Sequence, residues 1–270
     1  MKRFKWIFAL ALGSMLALAA CATNNEENAQ VDNGTEEASL YDKVMEEGKL
    51  YIGTEGTYPP FTFHEESGEL TGYDVEVARE VAKRLGVEPV FKETQWDAMF
   101  EGLNSKRFDL IANQVGIRED RLEKYDFSIP YTVSSAVLVT NKDSNISSFE
   151  EIKGLKAAQS LTSNYRDIAE SYGAEIVGVE GLSQAVNLLE TGRVDVTIND
   201  KLSILDYLNK KPDANIKIAA TAEDAAESAF MFRKGSDKLV EEVNRVLQEM
   251  IDDGTLAKIS EKWFGEDVSK

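Results

Sequence analysis

Two eleven-residue stretches of this chain follow one pattern: Leu103-Asn104-Ser105-Lys106-Arg107-Phe108-Asp109-Leu110-Ile111-Ala112-Asn113 and Leu189-Glu190-Thr191-Gly192-Arg193-Val194-Asp195-Val196-Thr197-Ile198-Asn199. Leu, Arg, Asp and Asn coincide at four positions, and Ser/Thr, Phe/Val and Leu/Val are similar. Each copy reads as a helix end, a turn and a buried strand. Each strand stops in polar residues, Asn113-Gln114 in the first and Asn199-Asp200 in the second. Helix–strand units also look alike by chance. If the echo is structural, it predicts two similar lobes. Ligands of open α/β sheets bind beyond the carboxyl ends of strands, so two such lobes present polar groups to each other across a cleft.

The rest of the body fits an α/β class with mainly parallel sheets. Leu50-Tyr51-Ile52-Gly53 reads as a short strand. Val77, Val81 and Leu85 recur at a spacing of four, predicting a helix that Asp74 caps and Gly86 ends. Trp96, Met99, Phe100 and Leu103 follow helical spacing, as do Ala185, Val186, Leu188 and Leu189.

Composition removes several classes of function. The formal net charge is −18 and no basic stripe is present, which argues against nucleic acid as a partner. One cysteine, Cys21, excludes an internal disulfide, and one histidine, His64, leaves too few ligands for a structural zinc site. No cofactor or metal is called for. His64 lies in the charged segment His64-Glu65-Glu66-Ser67-Gly68 and reads as exposed, and no nucleophile–base pair is visible.

The start of the chain has export character. Lys2, Arg3 and Lys5 precede an apolar or small run from Ile7 to Ala20, shorter than a comfortable membrane span. Residues 1–20 therefore read as a signal peptide. Their removal takes away three positive charges and no negative ones, so −18 becomes −21. Residues 21–40 are rich in Asn, Glu and Ala and read as a flexible tether.

Two motifs allow a sharper reading. Leu18-Ala19-Ala20-Cys21 resembles the lipobox of bacterial lipoproteins, whose cysteine is acylated; an ordinary signal peptide with an incidental cysteine is the other reading. Gly72-Tyr73-Asp74-Val75-Glu76-Val77, followed by Val81-Ala82 and Leu85, resembles the signature of the bacterial family 3 solute-binding proteins, which serve ABC importers of polar amino acids. Agreement extends over about residues 41–270. It includes Glu55-Gly56-Thr57-Tyr58-Pro59-Pro60-Phe61, Asp126-Phe127-Ser128-Ile129-Pro130-Tyr131, Asp253-Gly254-Thr255-Leu256 and Glu261-Lys262-Trp263-Phe264-Gly265. Asn113-Gln114-Val115, Lys124-Tyr125-Asp126-Phe127-Ser128 and Ser163-Asn164-Tyr165 resemble the cystine-binding members in particular.

This resemblance implies a two-lobe clamshell of the type II periplasmic-binding-protein kind, with two hinge crossings near Tyr131–Ser135 and Glu223–Ala229. Lobe 1 would comprise 41–133 plus 227–270, and lobe 2 would comprise 134–226. It implies a free amino acid as ligand, L-cystine or another polar one, ABC permease subunits as partners, a membrane reached through the lipid anchor, an extracytoplasmic location and a monomer.

It also implies roles for particular residues. Arg121 would clamp the ligand carboxylate through the fork of its guanidinium, although beside Glu119, Asp120 and Glu123 it also reads as a surface arginine. Asp200 would accept from the ligand ammonium, or cap the helix that follows, or both. Ser163 and Asn164, at a helix start near Tyr165, would offer backbone N–H groups to the carboxylate, with simple capping as the alternative. Tyr58, Phe61 and Trp96 would wall the pocket; Trp96 equally fits a core stripe, and Phe61 fits a structural role. Gln114 and Gly116 belong to the same site. Gly116, Arg118 and Thr162 stand where relatives commonly carry Ser or Thr, Thr or Ser, and Gly. Glu55 would meet a second ammonium on the ligand, or lie solvated on the surface. A few relatives on this scaffold eliminate water from cyclic acids, so a cyclohexadienyl-dehydratase-like enzyme with Glu55 as general acid is the alternative function.

Overall fold

The structure, a computed structural model, describes residues 38–270. Cys21 and the expected signal peptide lie outside the described residues. The first element starts inside the expected tether: Ser39 caps the helix Leu40–Glu47 through a reciprocal exchange with Asp42, and Val44 of that helix is buried.

Among the described residues the largest sheet has nine strands. Eight run in the order Glu175–Gly178, Lys156–Gln159, Val196–Asp200, Thr132–Asn141, Ile216–Arg233, Leu110–Gly116, Lys49–Thr54 and Glu88–Glu93; Tyr125–Phe127 pairs off the long strand Ile216–Arg233. The apolar clusters divide along this path. At one end Leu50, Ile52, Val77, Leu110 and Phe230 pack with the helices Tyr73–Leu85 and Asp237–Asp252. At the other, Val139, Ala158, Val186, Leu189 and Ile204 form a separate core.

Two strands link these halves. Thr132–Asn141 pairs antiparallel with Ile216–Arg233, from Ser228↔Thr132 to Ile216↔Asn141, with a register shift between Thr221 and Ala225. The expectation of mainly parallel sheets is corrected here. The outer pairings within each half are parallel, whereas the linking strands pair antiparallel with each other and with the Leu110–Gly116 and Val196–Asp200 strands. A chain that leaves one half and later returns must run both ways through the middle of the sheet, which imposes antiparallel pairing there.

The repeated stretches serve one structural purpose. Asp109 N–H donates to the Tyr51 carbonyl at 2.8 Å while its carboxylate accepts from Tyr51 N–H at 3.0 Å. Asp195 repeats this with Lys156, at 2.9 and 2.8 Å. The shared aspartate thus joins each helix–turn–strand unit to the entry of the neighbouring parallel strand. Register being set there, the two strands, which run in opposite directions, carry Asn113 and Asn199 toward each other from the two halves.

Candidate functional site

The turn Thr57–Phe61 is held from below by the helix Tyr73–Leu85. That helix has Gly72 as its N-cap and no side-chain cap. Instead Tyr73 N–H donates to the Pro60 carbonyl at 2.9 Å and Asp74 N–H to the Phe61 carbonyl at 3.0 Å. Gly72 has φ 127°, and a Cβ there would collide with the Phe61 carbonyl, so only glycine allows this approach. Asp74 is therefore not the cap expected from the sequence. It is fully buried, and its carboxylate accepts from Gln114 N–H at 2.6 Å and from the Gln114 amide at 3.4 Å. This holds Gln114 at φ 50°, a left-handed conformation uncommon outside glycine. Burial lifts the Asp74 carboxyl to about 7. Gly86 ends the helix in the left-handed conformation, as its position predicts.

A cavity lies where the terminal residues of the two repeats meet. It holds about 600 Å³ of empty space, its open mouth included. Of the residues expected from the sequence, Glu55, Tyr58, Trp96, Gln114, Ser163 and Asn164 line it. Asn113 positions Glu55 twice, accepting from its backbone N–H at 2.8 Å and donating to its carboxylate at 2.7 Å. Burial, opposed by these hydrogen bonds, raises the Glu55 carboxyl to about 7. Glu55 is thus no solvated surface acid. Ser163 caps the helix Asn164–Ser171, accepting from Arg166 N–H at 3.1 Å, so the helix begins one residue earlier than expected.

Phe61, Gly116, Arg121 and Asp200 stand outside the lining. Phe61 is completely buried against Tyr58, Tyr73 and Phe264, with ring centroids 5.5, 6.5 and 5.7 Å away; it buttresses Tyr58 from the core side. Arg121 is buried. Its guanidinium donates to the carbonyls of Gly116 at 3.0 Å and Thr162 at 3.3 Å and faces the rings of Trp96 and Phe100 at 5.7 and 5.4 Å. No acidic side chain pairs with it among the described residues, and burial lowers its pKa to about 10. Gly116 leaves room beside it: a Cβ there would lie 3.8 Å from Arg121 Nη1 and 4.0 Å from Asn164 Nδ2. Of the roles expected of it, Asp200 performs the capping one, holding the start of the helix Lys201–Lys210 through Leu202 N–H at 2.8 Å, and it also accepts from Ser134 Oγ at 3.0 Å. The lining residue Tyr165 also donates to it, at 3.4 Å. No basic side chain pairs with Asp200 among the described residues, and burial raises its carboxyl to about 6.

The two halves touch across this cavity. Tyr58 O–H donates to Asn199 Oδ1 at 2.8 Å, and Ser203 Oγ to the Pro59 carbonyl at 3.0 Å. The Asp97 carboxylate accepts from Leu161 N–H at 3.3 Å, Thr162 N–H at 3.0 Å and Thr162 Oγ at 2.6 Å. Arg118 pairs with Asp167 at 2.7 Å. Thr162 and Arg118 are thus both contact residues between halves.

The family model for bacterial extracellular solute-binding proteins, family 3, matches residues 50–266. The chain belongs to this family. The L-cystine-binding protein TcyA of Bacillus subtilis (strain 168) is 55% identical over 259 residues, covering 95% of this chain and 96% of TcyA. The L-cystine solute receptor of Neisseria gonorrhoeae, in its unliganded open conformation, is 49% identical over 84% of this chain and 99% of its own, with a TM-score of 0.57. An ancestral arginine-binding protein bound to arginine is 36% identical over 80% of this chain and 98% of its own, with a TM-score of 0.76. The higher score at lower identity fits the bridged cleft seen here. These relatives are binding proteins and not enzymes, and the fold of this family-3 chain is the two-lobe type II clamshell.

Sequence reasoning missed Gln159, Thr197 and Asn199 as lining residues. Asn199 ends the second repeat. Gln159 ends the strand Lys156–Gln159, so the rule that ligands sit beyond strand carboxyl ends points to it as well.

Proposed function

We propose that this protein is the substrate-binding lipoprotein of an ABC amino acid importer, and that it holds a free amino acid, L-cystine first among candidates, in the cleft between its lobes. One observation carries this reading. A buried arginine and a buried aspartate, neither ion-paired among the described residues, flank one cavity from opposite halves. A buried charge without a counter-charge is costly. A zwitterion supplies both counter-charges at once: its carboxylate to Arg121 and to the Asn164 N–H at the helix start, its ammonium to Asp200, while the Ser163 N–H is already given to the Ser160 carbonyl. Reaching the zwitterion requires side-chain movement, since Arg121 and Asp200 stand just behind the lining residues Trp96 and Tyr165. Tyr58 and Trp96 wall the ligand, with Gln114 and Gly116 beside it, and Glu55 receives a second ammonium at the far end. That TcyA is an L-cystine-binding protein and the gonococcal relative an L-cystine solute receptor supports cystine.

The lobes in this reading are 41–133 plus 227–270, and 134–226. The pairing of Ser134 and Ser135 with Ala226 and Ala225 in the linking strands supports those limits. Acylation at Cys21, a tether that holds the lobes near the membrane outside the cytoplasm, permease subunits as partners and a monomeric state complete the proposal. Isothermal titration of ligand-stripped protein with the common amino acids and cystine tests it: saturable heat at one site per chain is expected, and no heat with any of them refutes it.

A further inference from the structure

Two buried N–H donors in the cavity have no partner among the described residues: Trp96 Nε1 and Gln159 Nε2. Gln159 is only 3% exposed and Trp96 only 8%. They come from opposite halves, Trp96 from the start of the helix Trp96–Asn104 and Gln159 from the end of the strand Lys156–Gln159. Buried polar groups are otherwise almost always satisfied, and leaving one unsatisfied costs the desolvation of that group. The cavity lining includes the apolar side chains Ala158, Val179, Leu182 and Ala185 together with the polar Ser160, Thr197 and Asn199, none of which accepts from Gln159 Nε2.

We infer that Gln159 is a specificity-determining residue which, with Trp96, receives a hydrogen-bond acceptor at the far end of the ligand: a second carboxylate. This rests on the reading that a free amino acid occupies the cleft. Glu55 and this donor pair divide the distal work between them. Glu55 takes an ammonium, and Gln159 with Trp96 takes the carboxylate attached to the same carbon. The apolar wall covers the body between the two heads. A ligand whose far end carries only N–H donors, such as a guanidinium, leaves both protein donors unmet. A ligand with a zwitterion at each end meets all three groups.

Two mixed disulfides separate the terms. The cysteine–cysteamine disulfide is cystine without its distal carboxylate; the cysteine–3-mercaptopropionate disulfide is cystine without its distal ammonium. Titrations use the full chain and its Gln159→Leu variant, whose folding is checked by the thermal midpoint without ligand. The wild-type chain is expected to bind cystine about 10- to 100-fold more tightly than the cysteamine disulfide, the range for a hydrogen bond to a charged group. Gln159→Leu is expected to weaken cystine and the mercaptopropionate disulfide by about 10-fold or more while leaving the cysteamine disulfide within about 2-fold. Equal weakening of all three ligands, or none, overturns the inference while leaving an amino acid site in place. Failure of wild-type protein to bind cystine or any amino acid overturns the functional reading itself. If Gln159→Leu does not fold, the wild-type comparison decides: equal affinity for cystine and the cysteamine disulfide overturns the assignment.

Discussion

Replacing Asp97 by alanine should loosen ligand retention without altering any group that lines the cavity. Asp97 holds the other half through three hydrogen bonds, two from backbone N–H groups at 3.3 and 3.0 Å and one from Thr162 Oγ at 2.6 Å. The carboxylate is exposed, so each bond is assigned the low end of the net range, about 0.5–1 kcal/mol. The total is about 2 kcal/mol, present when the halves touch and absent when they part. If ligand is held only in the touching arrangement, that difference appears in full as about a 30-fold rise in Kd. Most of it should appear in the dissociation rate, because the contact forms after encounter. Stopped-flow fluorescence of ligand release measures the rate, and Trp96 beside the cavity provides a signal. Thr162→Val removes one of the three bonds and should cost about a third as much. In the Asp97→Ala background Thr162→Val should add nothing further, since its partner is already gone. An Asp97→Ala protein with unchanged Kd and dissociation rate, or additive effects of the two substitutions, would refute the assignment of closure energy to this contact.

Arg121→Lys replaces a planar fork with a point charge and should cost about 2–5 kcal/mol in binding, the range for disrupting a buried charge pair; unchanged affinity by titration would remove Arg121 from the site. The Asp74 carboxyl lies near 7 in the folded chain against an ordinary 3.8, so the folded state binds its proton more tightly than the unfolded state does. Its contribution is complete below about pH 4 and is lost as pH rises through about 7, at most about 4 kcal/mol at about 1.4 kcal/mol per unit. Urea unfolding of wild type should therefore weaken from pH 5 to 8, and Asp74→Asn should flatten that slope. Gly72→Ala forces a Cβ against the Phe61 carbonyl at φ 127° and should destabilise the fold by about 3 kcal/mol or prevent folding, as read by circular dichroism.

Much of this architecture was legible because the repeated stretches carry local and long-range information together. The aspartate in each copy bridges to the neighbouring strand, and the asparagine that ends each copy reaches the cavity. Gly86 was legible from helical spacing alone. Asp74 was misread because its position favours capping, while its actual partner, Gln114, is distant in sequence and comes close only through folding. Parallel pairing was over-read because strand patterns carry no direction; the return of the chain through the middle of the sheet is a topological fact. Gln159 went unnoticed as a single polar residue after two alanines, with no periodicity to mark it. Phe61 looked like a pocket wall beside Tyr58, and the turn sends it the other way, into the aromatic cluster with Tyr73 and Phe264.

The two linking strands are hydrogen-bonded to each other on both sides of the register shift between Thr221 and Ala225, and this limits the ways in which the jaws can swing. Two separate threads would permit twisting and sliding in any direction. A paired ribbon resists sliding, because that breaks its ladder, and yields mainly by flexing out of its own plane. Opening is thereby confined to one arc, and each return along it brings Asp97 back to Thr162 and Tyr58 back to Asn199. Inserting one residue into either strand alone would rotate that arc, so that the jaws would still shut but would no longer meet.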